Sequence, residues 1–194
     1  MENNTKITVS INPETQLGKL NVFLDTLAYE HIPLGFKLYK LKNFLDTIES
    51  PTIKYIDGDL VRDAEQYDVI LHGCNCFCTF GAGIALQIKN KFPQAYAVDC
   101  MTKSGDKSKL GTISYTTNTT PIVVNCYSQY DFRGRQVGNM DLDYMALKSA
   151  LLAVKKQFTG KKIGMPRIGA QLAGGDWNII LRIIEETLKD EDVT

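Results

Sequence analysis

His72-Gly-Cys-Asn-Cys-Phe-Cys-Thr-Phe-Gly-Ala-Gly-Ile84 is the stretch whose reading decides the fold. Val69-Ile70-Leu71 precedes it, apolar and mostly β-branched, and reads as a strand buried on both faces. Ala85-Leu-Gln-Ile-Lys-Asn-Lys-Phe92 follows with apolar residues at helical spacing, and Pro93 is the expected stop. The segment between is polar, sulfur-rich and glycine-bearing, at the carboxyl end of a strand and the amino end of a helix. Main-chain N–H groups and the positive end of a helix dipole there favour an anion. Gly81 and Gly83 allow the backbone to approach a ligand where a Cβ would collide. A tight strand-to-helix turn with no ligand is the plain alternative.

Working outward, the 194 residues suffice for one well-buried core with an extension. Lys and Arg total 22 and Asp and Glu total 22, so no whole-protein field draws the chain to nucleic acid or to an anionic membrane. No apolar run approaches the roughly 20 residues of a membrane span, and Met1-Glu-Asn-Asn-Thr5 lacks a signal-peptide layout. A cytoplasmic protein is expected, with no membrane partner. The five cysteines cannot all pair internally. Alternate side chains of an extended segment go to opposite faces, and the Cys-x-Cys-x-Cys spacing of Cys74, Cys76 and Cys78 is read as one that does not converge on one metal as Cys-x-x-Cys can. Buried free thiols are expected, with neither metal nor cofactor.

In chain order, residues 6–11 alternate as a strand, Leu17, Leu20, Leu24 and Leu27 predict a helix over about 14–29, and 36–39 and 41–48 predict a short strand and a short helix. These form an N-terminal α+β extension, residues 1–50. The main domain, 51–194, opens with a strand at Ile53–Ile56. Asp59 then stands at a strand's carboxyl end, where its carboxylate can accept from an adenine amine or cap the turn over Leu60–Ala64. Lys103, Lys107 and Lys109 read as a solvated basic face. Strands are expected at 111–116 and 122–126, then a loop, Tyr127-Ser-Gln-Tyr-Asp-Phe-Arg-Gly134. Its aromatic residues can stack on a sugar or base, or pack under the loop. An amphipathic helix over 141–155, a strand over 162–165 and a second glycine-rich loop, Pro166–Gly175, come next. Asp176 is placed as the N-cap of a last helix running through Leu188, and the chain stops at Asp192-Val-Thr194 where another strand would be expected.

Strand and helix alternate from residue 53, which argues for an α/β sandwich with ligands at the strand carboxyl ends. Two glycine-bearing loops that can face each other look like a clamp for a diphosphate.

From residue 53 onward the order of motifs resembles a macro domain, the ADP-ribose-binding module. The resemblance rests on Ile53-Lys-Tyr-Ile-Asp-Gly-Asp-Leu60, His72-Gly-Cys-Asn-Cys76, Phe80-Gly-Ala-Gly-Ile-Ala85 and Met165-Pro-Arg-Ile-Gly-Ala-Gln-Leu-Ala-Gly-Gly-Asp-Trp177, and covers nearly three quarters of the chain. It implies a three-layer α/β/α sandwich around a mixed sheet. It also implies ligand contacts from Asp59 and Leu60, from Gly81, Ala82, Gly83 and Ile84, and from Tyr127, Gln129 and Tyr130. Gly169, Ala170, Gln171, Leu172 and Ala173 complete the set. Within the family the chain looks closest to the branch of ADP-ribose 1″-phosphate phosphatases, with Asn75 on the distal ribose and His72 as acid or base. A histidine satisfied inside the strand end is the other reading of His72. Asp141, Asp143 and Asp176 are reserve carboxylates or helix caps. A neighbouring branch hydrolyses ADP-ribosyl esters through a lysine and an aspartate. Here Asn125-Cys-Tyr-Ser-Gln129 carries no lysine, and Ala173 stands about where that aspartate would. The implied partner is ADP-ribose or its 1″-phosphate, with nucleic acid only as an ADP-ribosylated substrate. A hydrolase acting on modified macromolecules and a reader without chemistry are the competing readings.

Overall fold

Val69–Cys74 forms β1, and every residue of it except Gly73 is buried. The computed structural model describes residues 53–194, with Pro33, Leu34 and Lys40 before them. The elements expected at 6–11, 14–29, 36–39 and 41–48 lie outside the described residues. After β1 come α1 (Gly83–Lys91), α2 (Pro93–Cys100), β2 (Ile113–Tyr115), β3 (Ile122–Tyr127), α3 (Tyr144–Phe158), β4 (Ile163–Gly164) and α4 (Trp177–Leu188). None of the described helices is long and apolar enough to cross a membrane.

The sheet order is β2-β3-β1-β4. β1 pairs in parallel with β3, Val69 opposite Ile122, and with β4, Val69 opposite Ile163. β2 runs antiparallel to β3 and makes the sheet mixed. Side chains alternate across a strand. Val69, Leu71, Val124 and Cys126 therefore face one core, filled by Leu147, Leu151 and Val154 of α3 and by Ile180, Ile184 and Leu188 of α4. Ile70, Cys74, Val123 and Tyr127 face the other, with Ile88 of α1, Ala95 of α2, Ala64 and Phe80. Each large apolar side chain so buried contributes about 1.5–3 kcal/mol. The first core holds more of them, so α3 and α4 clamp the sheet more strongly than α1 and α2 do.

The structure corrects the sequence reading at two places and extends it at a third. The helix over Gly83–Lys91 stops before Pro93 as expected, and Pro93 also opens a further helix, α2, because proline's missing N–H costs nothing at the first turn. Ile53–Ile56 is not a strand: Lys54 N donates once to Val193 O (2.8 Å), while Lys54, Tyr55 and Ile56 are exposed. The edge of β4 is taken instead by the end of the chain. Val193 bridges Ile163 in parallel, with Met165 N on Thr194 O and Thr194 N on Ile163 O, both 2.9 Å. Lys109 is not on a solvated face but buried, its ammonium 3.1 Å from Asp99 Oδ1.

That ion pair ends a polar seam between the sheet and α2. His72 Nε2 meets Asn125 Oδ1 at 2.7 Å, directly across the β1–β3 register. Asn125 Nδ2 donates to Ala95 O (2.9 Å) and Ser114 Oγ (3.0 Å). Ser114 Oγ and Tyr127 OH share a 2.7 Å bond, and Tyr127 OH donates to Asp99 Oδ1 (2.7 Å). Lys109 also donates to Cys76 O (3.3 Å), tying the seam to the loop after β1. Buried polar groups paired in this way fix one packing arrangement, and breaking one pair leaves its partner stranded; Asp99 Oδ2 is the seam atom that has no hydrogen-bond partner among the described residues.

Two consequences are measurable. Burial lowers the His72 pKa to about 4, although the Asn125 bond and the Asp99 charge oppose it. Between that value and the ordinary 6.5 the unfolded chain takes up a proton that the folded chain does not. Stability from this site is therefore present above pH 6.5 and lost as pH falls toward 4. Urea titrations should show a loss of about 2 kcal/mol from pH 7 to pH 5 that His72→Gln largely abolishes. Lys109→Met should leave the Asp99 charge buried and uncompensated, and cost about 3–5 kcal/mol at neutral pH by the same measurement.

Candidate functional site

Because β1, β3 and β4 are parallel, their carboxyl ends lie on one edge, and a cleft of about 1620 Å³ crosses it. Its walls come from Gly73–Asn75 at the end of β1, Gln129 after β3, Met165–Gly169 after β4, and the segment Ile53–Leu60.

Gly81 and Ala82 line the cleft immediately before α1. The N-cap, Ala82, supplies no side-chain acceptor to that helix. The first N–H groups of α1 are thus left to whatever occupies the cleft, and the helix dipole adds to their pull on an anion. A Cβ on Gly81 would meet nothing within 4 Å, whereas one on Gly83 would stand 2.8 Å from Leu172 Cδ1. Leu172 belongs to the second glycine loop, so the two loops touch, as a clamp requires. Gly83 has φ 57°, the left-handed region in which a side chain is strained. The second loop contributes differently from the first. Asp176 already caps α4, its Oδ1 accepting from Asn178 N (2.8 Å), so that helix start is occupied by a carboxylate. Gly169, Gln171, Leu172 and Ala173 reach the cleft from the loop itself, while Ala170 packs back against the core.

At the β4 end, Asp59 and Leu60 line the cleft. Asp59 Oδ1 accepts from Val61 N and Arg62 N, both 3.0 Å, which is the capping role. Its other oxygen makes no hydrogen bond among the described residues, so one carboxylate can cap and still accept from a ligand. The Arg62 guanidinium is held by Asp63 (2.7 Å) and Lys91 anchors the turn through Val61 O (2.6 Å). Arg167 stacks over Trp177, 5.5 Å from the ring centroid, and both line the cleft.

At the β1–β3 end, Asn75 lines the cleft but its amide is engaged: Oδ1 accepts from Phe77 N (2.8 Å) and Nδ2 donates to Thr79 Oγ1 (2.7 Å). It shapes the loop it belongs to. Gln129 lines the wall, joined by Phe132 and Gln136. Three expected site residues are not at this surface. His72 is fully buried beneath the strand end, edge-on to Phe80 at 5.0 Å, and neutral at physiological pH. Its imidazole is hydrogen-bonded to Asn125 inside the strand end. Tyr127 points into the second core because it lies on the same face as Val123 and Asn125, with its hydroxyl between Ser114 and Asp99. Tyr130 donates to Gly105 O (3.0 Å) and packs edge-on to Phe77. Asp143 and Asp141 are structural too: Asp143 caps α3 through Ala146 N (2.9 Å), and Asp141 Oδ1 accepts from Gly134 N (2.8 Å).

The cysteines are free thiols, with Cys74, Cys76 and Cys126 buried, Cys78 half-buried and Cys100 exposed, against the expectation of uniform burial. Cys74 and Cys76 share one core, as side chains two residues apart on one face do. Burial, with the Asp99 charge adding to it, raises the Cys74 thiol well above its ordinary range, which removes it as a nucleophile at neutral pH. Phe132, one of the loop aromatics weighed for stacking, does line the cleft, while Gln136, Arg167 and Trp177 were missed as cleft residues. The Arg–Trp spacing was visible, but only the loop's turn brings the two together.

The profile of the macro domain family matches residues 71–184. An uncharacterized 17.5 kDa protein of Enterobacteria phage T4 is 36% identical over 142 residues, covering 69% of this chain and 88% of its own. A Debaryomyces hansenii protein named ADP-ribose 1″-phosphate phosphatase is 30% identical over 159 residues, covering 66% of this chain and 89% of its own. A solved structure of a Bacteroides thetaiotaomicron protein of unknown function is 29% identical with a TM-score of 0.62, covering 71% of this chain and 90% of that one.

The two loop glycines separate in their effect on folding. Gly83→Ala forces a side chain into the left-handed region and against Leu172, and should cost about 1–3 kcal/mol. Gly81→Ala, facing open space, should stay within about 0.5 kcal/mol of the parent. Thermal melts of both variants check the contrast.

Proposed function

The chain belongs to the macro domain family, and we propose that it binds ADP-ribose along the cleft and releases phosphate from ADP-ribose 1″-phosphate. The observation that carries the binding is the uncapped start of α1, reached through Gly81 and Ala82 and closed over by Leu172 of the second loop. Two linked phosphates suit that place: main-chain N–H groups donate from one side, and a side chain at Gly81 would fill the gap. Adenine then lies toward Asp59 and Leu60, where the unengaged carboxylate oxygen accepts from its exocyclic amine. The distal ribose lies toward Asn75 and Gln129.

The phosphatase reading is supported by the name and similarity of the Debaryomyces hansenii relative. Its reaction takes one water and gives ADP-ribose and inorganic phosphate. His72 has no part in it. Among the described residues lining the cleft, the carboxylates are Asp57, Asp59 and Asp63, all at the opposite end from Asn75. The protein's contribution at the 1″ position is therefore positional. The ADP portion is held by remote contacts, and that binding orients the phosphate for attack. The same scarcity of acid–base groups favours, as a second reading, a reader that holds ADP-ribose and leaves it unchanged.

Three assays on one preparation separate these readings: calorimetry with ADP-ribose, phosphate release from ADP-ribose 1″-phosphate, and ADP-ribose release from a modified macromolecule. Binding with phosphate release is the expected result. Binding without turnover would establish the reader, and release from the macromolecule alone would establish the hydrolase. Absence of heat and of any thermal shift at millimolar ADP-ribose would end the binding claim. Gly81→Val should abolish binding without loss of fold, and Asp59→Ala should weaken it by about 1–3 kcal/mol.

A further inference from the structure

β3 ends at Tyr127, and the next residue, Ser128, is fully buried with a hydroxyl that has no hydrogen-bond partner. Its main chain is firmly held: Ser128 N donates to Cys126 O (2.8 Å), and Ser128 O accepts from Asp143 N (2.9 Å) at the cap of α3. The position from which the side chain springs is therefore fixed. A buried hydroxyl left unpaired weakens a fold, and such a group needs an explanation. Its surroundings supply one. A Cβ on Gly73 would stand 3.1 Å from Ser128 Oγ and 3.3 Å from Ile168 Cγ1, and both Gly73 and Ile168 line the cleft. The hydroxyl thus sits just under the cleft floor, at the carboxyl ends of β1 and β3, where glycine stands in place of a side chain that would cover it. Gln129, the next residue, lines the wall above.

We propose that Ser128 is a positioning residue for the distal end of the ligand. Its hydroxyl bonds, through one bridging water beside Gly73, to the ribose that carries the 1″ position. This rests on the ADP-ribose reading above. Hydroxyl groups both donate and accept, so the site suits a sugar hydroxyl or a water shared with it, and water-mediated bonds of this kind hold nearly as well as direct ones. ADP, which ends at the diphosphate, does not reach it.

The test uses the whole chain and Ser128→Ala, with melting temperature, calorimetry with ADP and with ADP-ribose, and phosphate release from ADP-ribose 1″-phosphate. Removing an unpaired buried hydroxyl should leave the melting temperature at or above the parent's. ADP should bind as to the parent, ADP-ribose roughly tenfold more weakly, and phosphate release should fall by at least the same factor. Gly73→Ala retains the hydroxyl but places a methyl over it, and should weaken ADP-ribose relative to ADP in the same sense. A Ser128→Ala protein with the parental ratio of ADP-ribose to ADP affinity and parental turnover would overturn the proposal. So would a lower melting temperature with equal loss of both ligands, which would mark Ser128 as structural only. A parent that binds ADP but not ADP-ribose would overturn the reading underneath, and the proposal with it.

Discussion

Parallel pairing of β1 with β3 on one side and β4 on the other is the constraint on which the rest of the molecule depends. It sets three strand ends on a common edge, so that the loops after Cys74, Tyr127 and Gly164 meet there despite their separation in sequence. Each parallel connection needs a crossover, and the helices that make the crossovers become the two outer layers. The cleft is a product of that pairing. So is the approach of Gly83 to Leu172, which joins loops almost ninety residues apart along the chain.

The two faces of the sheet are built on different physics. Toward α3 and α4 the contacts are apolar, and the hydrophobic effect alone suffices. Toward α2 the same strands carry His72, Asn125 and Tyr127, and the seam they form closes on the buried Asp99–Lys109 pair. A buried ion pair of this kind is a weak source of net stability, since desolvation opposes the attraction. Its effect here is geometric. Lys109 reaches Cys76 O and Cys78 Sγ (3.4 Å), so the seam holds the loop that leads from β1 to the glycines of the cleft. A rigid support beneath a main-chain binding loop favours ligand binding, because little ordering remains to be done.

The division of labour at the two glycine loops follows from capping. Both helices begin at the cleft edge, yet only α1 starts without a side-chain acceptor. The carboxylate of Asp176 neutralises the other helix start, which leaves the second loop to enclose rather than to attract. An anion is thus drawn to one loop and covered by the other, an asymmetry that two similar glycine patterns do not reveal.

The sequence by itself determined the alternation of buried strands and amphipathic helices, the two glycine loops, and the resemblance of their order to one family. Those features depend on local spacing and on backbone freedom, which a chain carries with it wherever it folds. It also placed Asp143 and Asp176 as caps, because a cap is decided within four residues. Only the tertiary structure decided which side chains face the cleft. His72, Tyr127 and Lys109 look like surface chemistry in a line of residues, but their strand face and their buried partners lie 53, 28 and 10 positions away. The sequence offered two readings of His72, and its hydrogen-bond partner stands on the neighbouring strand, where no local pattern could show it. Edge pairing behaved likewise: Ile53–Ile56 has a strand's composition, yet the place beside β4 goes to Val193, because one edge accepts one neighbour.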